Sequence, residues 1–404
     1  KFAGTADISA VSTGSQAMQL VTSLLVGLTT GVTVLLGQKI GEGRPDEAGS
    51  VVGSAICLFV CVALALTALL SALTEPFCRL LQAPEEAFVP TTQYVRICSA
   101  GTLFIVAFNV IGSVFRGLGD SKMPLITVAI ACVTNIFGDL LLVDVFQMGA
   151  AGAALATVFA QAVSVILSLF VIMRRKLPFT FRKEQLRFDR PLTAGILRLG
   201  IPIALQDVLV GVSFLVILAI VNSLGLLQSA GMGIAEKVCA FVMLLPSAFS
   251  QSVSAFVAQN TGAGKPERAK KALRYSVAVS LCISVFVFYF NFFHGDLLAG
   301  IFANDHAVIL EAADYLKAYA IDCLLTSFLF CFVGYFSGLG KTVFVMTQGI
   351  LGAFGVRIPV SFAMSRLPNV RLFYIGLATP CSTVVQVLLC LGYYAHLARR
   401  ERRA

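Results

Sequence analysis

Two short sequences recur in this chain at one common spacing. Gly37-Gln38-Lys39-Ile40-Gly41-Glu42-Gly43-Arg44-Pro45-Asp46 is matched by Ala258-Gln259-Asn260-Thr261-Gly262-Ala263-Gly264-Lys265-Pro266-Glu267, 221 positions later. Phe115-Arg116-Gly117-Leu118-Gly119 is matched by Phe336-Ser337-Gly338-Leu339-Gly340 at the same offset. Two matches that share an offset mark a duplicated unit. Each match lies between long apolar runs, so the repeated unit is a bundle of membrane helices. Duplicated helical bundles are the usual construction of secondary transporters, with the substrate path between the halves.

Composition supports this architecture. The chain is 58% hydrophobic and only 13% charged, against roughly 25% charged residues in an average soluble domain. Apolar runs of about 20 residues, the length that crosses a hydrocarbon core, occupy eleven stretches: about 8–36, 51–73, 94–116, 122–144, 149–173, 195–222, 229–257, 272–294, 315–336, 342–364 and 372–396. Runs of this length must be helical, since a transmembrane barrel would show alternating segments about ten residues long. The net charge of +9 suggests nucleic acid only in a soluble protein, and no nucleic-acid partner is expected here. Most of the eleven Cys fall inside apolar runs, none forms a CxxC pair, and only three His exist. Neither a zinc site nor a disulfide framework is therefore expected, and no cofactor is expected.

The charged loops alternate. Lys39 and Arg44; Arg116 and Lys122; Arg174, Arg175, Lys176, Arg182, Lys183, Arg187 and Arg190; Lys265, Arg268, Lys270 and Lys271; Lys341; and Arg399, Arg400, Arg402 and Arg403 fall on one side. Glu75, Glu85, Glu86, Asp296, Asp305 and Asp314 fall on the other, with Arg79 and Arg371. The positive-inside rule makes the first side, and with it the C-terminus, cytoplasmic. The expected location is the cell membrane.

Eleven spans are an odd number for a duplicated bundle. Gly225, which follows the span at 195–222, maps back by the repeat offset to Gly4. The partner of that span would then precede Lys1, so the expectation is a fragment of a twelve-helix protein without its first helix. The domain reading follows: residues 1–173 as an N-terminal lobe, 174–191 as a basic linker and topology anchor, and 192–404 as a C-terminal lobe of the same orientation.

Several motifs then resemble one family. Gly-Gln-x-x-Gly-x-Gly follows the first span, Arg116-Gly117-Leu118-Gly119-Asp120 follows the third, and Asn135-x-x-x-Asp139 lies in the fourth. With Gly200-Ile201-Pro202 and the second Gln-x-x-Gly-x-Gly, they resemble, in order and spacing along the whole chain, the multidrug and toxic compound extrusion (MATE) transporters. The resemblance implies an all-α, V-shaped protein of two six-helix lobes that exchanges an inward-flowing cation for an exported organic, often cationic, compound. It implies a monomer that binds small organic substrates within the bilayer and has no enzymatic activity. A lipid-linked oligosaccharide flippase of the wider superfamily is the alternative. A pyrophosphate-bearing substrate would call for several Arg or Lys inside the lobes, and Lys237 and Arg357 are the main ones present. An intramembrane enzyme is disfavoured by scattered His and short loops.

The resemblance also implies a cation site of an Asp on the first helix, here upstream of Lys1, together with Asn135, Asp139 and Thr157. The coupling ion is H+ or Na+, with Asp139 as the possible Na+ ligand. Independently of the family, Asn135 and Asp139 share one helix face at i, i+4. At 1.5 Å per residue Asp139 lies roughly 25 Å from Lys122, at a depth similar to that of Thr157. A carboxylate, an amide and a hydroxyl there suit a hard cation or a proton, while a solvated helix end is the plainer reading.

In the second half, Asp207, Glu236, Lys237, Asp322 and Arg357 fall within apolar helices. Glu236, Lys237, Asp322 and Arg357 share a depth at which they could form one paired cluster, either structural or in contact with substrate or protons. The position at which some relatives carry an acidic cation ligand on the seventh helix is Val210 here, with Asp207 one turn away. The glycine-rich segments read as helix caps and tight turns, because no P-loop Lys-Ser/Thr follows them. Gly27 and Gly31 form a small-xxx-small pair suited to close helix contact. The run Phe286-Val287-Phe288-Tyr289-Phe290 reads as lipid-facing.

Overall fold

The computed structural model describes residues 5–80, 84–174, 179 and 181–401. Of the basic residues named above, Arg175, Lys176, Arg402 and Arg403 lie outside the described residues, as do Lys1 and Gly4. The described residues are helical almost throughout. In chain order the helices are α1 (Thr5–Gly41), α2 (Pro45–Leu80), α3 (Glu85–Ala100), α4 (Thr102–Gly117), α5 (Lys122–Asp139), α6 (Gly149–Arg174), α7 (Arg190–Asn222), α8 (Leu226–Gly262), α9 (Pro266–Phe293), α10 (Gly295–Gly300), α11 (His306–Gly338), α12 (Thr342–Ile350), α13 (Ile358–Ser365), α14 (Leu372–Gly376) and α15 (Ala378–Glu401). Two π-helical segments interrupt them, Leu140–Val145 directly after α5 and Leu351–Arg357 between α12 and α13.

Among the described residues ten helices are long and apolar enough to cross a membrane. They become eleven when α3 and α4, bent by 55° at their junction, are counted as one broken span. The duplication read from the sequence reappears in backbone geometry. Helices α1 and α8 are both 37 residues long and stand 221 positions apart at each end. The turns after them require a left-handed residue, and both use glycine: Gly43 has φ 70° and Gly264 has φ 66°. Nothing lies within 4 Å of a Cβ built on either. The glycine is therefore set by backbone conformation and not by space. Gly119 and Gly340, at φ 78° and 74°, repeat the same device after α4 and α11.

The chain forms two compact units, Lys1–Ala204 and Leu205–Ala404. The boundary falls inside α7, later than the basic stretch 174–191 suggested. The reason is a glycine-lined contact. Cβ atoms on Gly27 and Gly31 of α1 would lie 2.4 Å from Ala204 Cα and 2.2 Å from the Ile196 carbonyl oxygen, and one on Gly200 would lie 2.4 Å from the Leu28 carbonyl oxygen. Small residues let two backbones meet where lipid supplies no hydrophobic drive between helices. The first half of α7 is thereby bound into the N-terminal unit.

The stretch before α7 is also anchored. Gln185 Nε2 donates to the Asp46 carbonyl at 3.0 Å, and its Oε1 accepts the Arg182 N–H at 2.9 Å. Gln185 lies directly on the glycine face of α2, where a Cβ on Gly53 would come within 2.0 Å of its carbonyl oxygen. Within the C-terminal unit, Lys270 Nζ bridges Glu267 at 2.9 Å and Glu401 at 2.6 Å, which places the start of α9 and the end of α15 on one side. At the other end of that unit Asp314 pairs with Arg371 and accepts the Phe373 N–H at 3.1 Å. The hydrogen bond and charge of Asp314 hold the Arg371 guanidinium above its ordinary range. Phe286, Tyr289 and Phe290 of α9 are exposed on the bundle surface, as expected for lipid-facing aromatics.

Candidate functional site

Within the N-terminal unit, α5 and α6 approach closely because Gly138 faces Ala156, where an added Cβ would lie 3.0 Å from the alanine methyl. This brings Asn135 and Thr157 together. Asn135 Nδ2 donates to Thr157 Oγ1 at 3.4 Å, and Thr157 Oγ1 donates to the Ala153 carbonyl at 2.9 Å. Asp139, one turn beyond Asn135, has a buried Oδ1 with no hydrogen-bond partner among the described residues. It stands where α5 gives way to the π-helical segment, a local widening often found at functional sites.

Sequence reasoning missed Tyr94. Its phenol lies beside Thr157 and within electrostatic reach of Asp139, and the residue is 5% exposed. The ring covers Gly14 of α1, where a Cβ would lie 2.5 Å from Cδ1. The bend at Gly101 also belongs to this neighbourhood. A Cβ at Gly101 would lie 2.4 Å from both methyls of Val158, the residue after Thr157. The broken span α3–α4 thus wraps α6 at the level of the polar cluster. Four side chains from three helices converge: a carboxylate, an amide and two hydroxyls. This donor set suits a proton or a hard monovalent cation.

The motif residues near the turns have a different role. Asp120 Oδ1 accepts the N–H groups of Lys122 at 3.0 Å and Met123 at 3.2 Å, capping the start of α5. A Cβ on Gly117 would lie 3.0 Å from the Thr33 carbonyl oxygen. These residues set the register from which Asn135 and Asp139 are counted.

In the C-terminal unit the expected four-residue cluster forms only in part. Asp322 is 1% exposed and Arg357 is 6% exposed. Each lies within electrostatic reach of the other, yet no ion pair within 4.0 Å joins them. Asp322 Oδ1, like that of Asp139, is buried with no hydrogen-bond partner among the described residues, and the Thr383 hydroxyl donates to the Thr379 carbonyl at 3.1 Å. Arg357, the last residue of the second π segment, donates from Nη1 to Ser213 Oγ at 3.1 Å and stacks 4.4 Å over Phe214. Glu236 is half-buried on α8 and in electrostatic reach of Tyr315. Lys237 is exposed and does not join this interior group. Successive helical residues point about 100° apart, and on α8 it is Glu236 that turns toward the interior. Asp207 is half-buried on α7, beside Gln206, which packs on Gly349.

Among the described residues no group of three or more His, Cys, Asp or Glu could hold a metal ion. A sodium or proton site here would rest on the mixed oxygen donors above.

The MatE family model matches residues 1–141 and again residues 202–363, one match to each half of the duplication. The chain belongs to the MatE family. The family comprises membrane transporters and not enzymes. Over 409 residues the chain is 24% identical to the probable multidrug resistance protein YoeA of Bacillus subtilis (strain 168), covering 100% of this chain and 88% of the relative. Over 318 residues it is 28% identical to the FAD transporter of Shewanella oneidensis, covering 76% and 69%. Its fold is similar to that of a MATE family multidrug resistance transporter of the MOP superfamily in an outward-facing conformation. The TM-score is 0.93 at 17% identity, over 100% of this chain and 90% of that one.

Proposed function

We propose that this MatE-family protein is a secondary antiporter that exports small organic compounds in exchange for H+ or Na+ flowing inward. The two duplicated units alternate access to a shared path, and the protein acts as a monomer. The observation that carries the coupling role is the buried, unpartnered Oδ1 of Asp139 beside the Asn135–Thr157 hydrogen bond and the neighbouring Tyr94. An unsatisfied carboxylate oxygen inside a membrane bundle is costly unless a proton or cation visits it. The printed functions of the relatives, multidrug resistance and FAD transport, support an organic substrate without selecting one. The basic ends of α6 and α15 support a cytoplasmic C-terminus.

The flippase alternative requires several free interior cations. Arg357 is already engaged by Ser213 and Phe214 and lies within electrostatic reach of Asp322, which supports a balancing role inside the unit.

The test is efflux from proteoliposomes with the sodium and proton gradients collapsed separately. Collapse of one gradient should stop efflux, and Asp139→Asn should lower gradient-driven efflux at least tenfold, about 1.4 kcal/mol of coupling, with insertion unchanged. Wild-type efflux by Asp139→Asn would refute the coupling role.

A further inference from the structure

The N-terminal unit carries an apolar cavity of about 340 Å³ between α2, α4 and α6, and its α6 lining, Val165, Leu169 and Ile172, lies beyond Thr157 toward the end of that helix. Its floor is buried, formed by residues such as Phe59, Val106 and Phe179. Its rim residues Ile56, Leu103 and Leu169 are exposed, so it is a cleft open at the bundle surface. A pocket meant to orient a polar substrate carries a few placed polar groups, and this lining has none. Taking a methylene as about the size of a water molecule, ~30 Å³, the cleft has room for roughly a dozen of them.

The mouth adjoins positive charge held in place by the fold. Arg174 ends α6 two residues after the lining residue Ile172, with its guanidinium 4.2 Å over Phe170. Phe181 lines the cleft and is followed by the exposed Arg182 and Lys183. The Arg182 N–H is bound by Gln185, which is itself bonded to α2. The Arg187 carbonyl accepts from Ser54, which lies between the lining residues Val52 and Ile56. Glu184 and Asp189 only partly offset these cations. An anionic headgroup at the rim with an acyl chain in the cleft matches both halves of this surface, whereas an organic cation would be repelled at its mouth.

We infer that this cleft is a binding site for an acidic glycerophospholipid of the leaflet facing the basic helix ends, with its acyl chain between α2, α4 and α6 and its phosphate at Arg174, Arg182 and Lys183. Occupancy would brace the anchored stretch before α7 against α2 and α6.

The chain contains no Trp, so one introduced Trp is an unambiguous reporter. Leu169→Trp and Ile56→Trp place it on exposed parts of the rim, where the larger ring has room, and Phe286→Trp on the exposed face of α9 serves as control. Each variant is reconstituted in vesicles containing phosphatidylglycerol and phosphatidylcholine, with bromine on the acyl chains of one lipid or the other. Brominated phosphatidylglycerol should quench both rim reporters more than brominated phosphatidylcholine does, with no such preference at the control. Arg182→Gln and Lys183→Gln should each lower that preference about fivefold, the effect of one basic residue near an anionic surface. Equal quenching by the two lipids would overturn the site. So would a preference that survives both Gln substitutions, no quenching by either lipid, or stronger quenching by a hydrophobic cationic dye.

Discussion

Replacing Gly101 with Ala tests whether the bend in the α3–α4 span is fitted to α6. The glycine has φ −83° and ψ 1°, a conformation alanine can adopt, so any cost arises from packing and not from backbone strain. The new Cβ would lie 2.4 Å from both methyls of Val158 and 3.0 Å from its Cβ. Carbon atoms attract best at about 3.5–4.0 Å, so the helices must part by about 1 Å or Val158 must leave its rotamer. Overpacking of this kind costs about 1–3 kcal/mol. Because Thr157 immediately precedes Val158, the displacement should also loosen its bond to Asn135. A double-mutant cycle gives the decisive measurement. Val158→Ala alone should destabilise by removing two methyls, whereas Gly101→Ala with Val158→Ala should be less unstable than the sum by about 1–2 kcal/mol. Equilibrium unfolding in mixed detergent micelles reads the stability, and counterflow in proteoliposomes reads the transport defect. Additive stabilities in the cycle, or a fully stable Gly101→Ala, would refute the fitted bend.

At the start of α6, Asp7 Oδ1 accepts the Ala150 N–H at 3.0 Å. Asp7→Ala should lower stability by about 1 kcal/mol and Asp7→Asn by less, as for other helix N-caps, read by unfolding in the same micelles. In the C-terminal unit Ser382 Oγ donates at 2.7 Å to the Gly352 carbonyl inside the second π segment. Ser382→Ala leaves that carbonyl short of a partner and should cost about 1–3 kcal/mol, with faster amide exchange confined to residues 351–357. Unchanged exchange there would show that the wide turn does not depend on the serine.

The parts of the structure legible in the sequence are those in which chemistry leaves one choice. Gly43, Gly119, Gly264 and Gly340 were readable because a left-handed turn demands glycine. The spans were readable because lipid demands closed helices. The i, i+4 spacing of Asn135 and Asp139 placed both on one face, and Asn135 does reach Thr157. Tyr94 was hidden because a tyrosine in an apolar helix looks the same whether its hydroxyl faces a cluster or an interface. The hinge at Gly101 was hidden because glycine is common in membrane helices and only Val158 reveals what it makes room for. Gln185 went unnoticed inside a stretch whose charges dominate, yet it is the residue that fastens that stretch to α2. Lys237 misled because adjacency in sequence is divergence on a helix.

The two π segments break the repeat that the glycine turns keep. An i to i+5 bond closes a turn over one residue more than the α-helical bond, so a π segment is how a finished helix absorbs a single inserted residue without losing its far end. Leu140 and Leu351, where the segments begin, are 211 positions apart, ten fewer than the 221 that separates Gly119 from Gly340. The two wide turns therefore stand at different repeat positions, so the halves differ in helix geometry there although their glycine turns coincide. One borders Asp139 and the other ends on Arg357, so in each half the widened turn lies beside a titratable side chain.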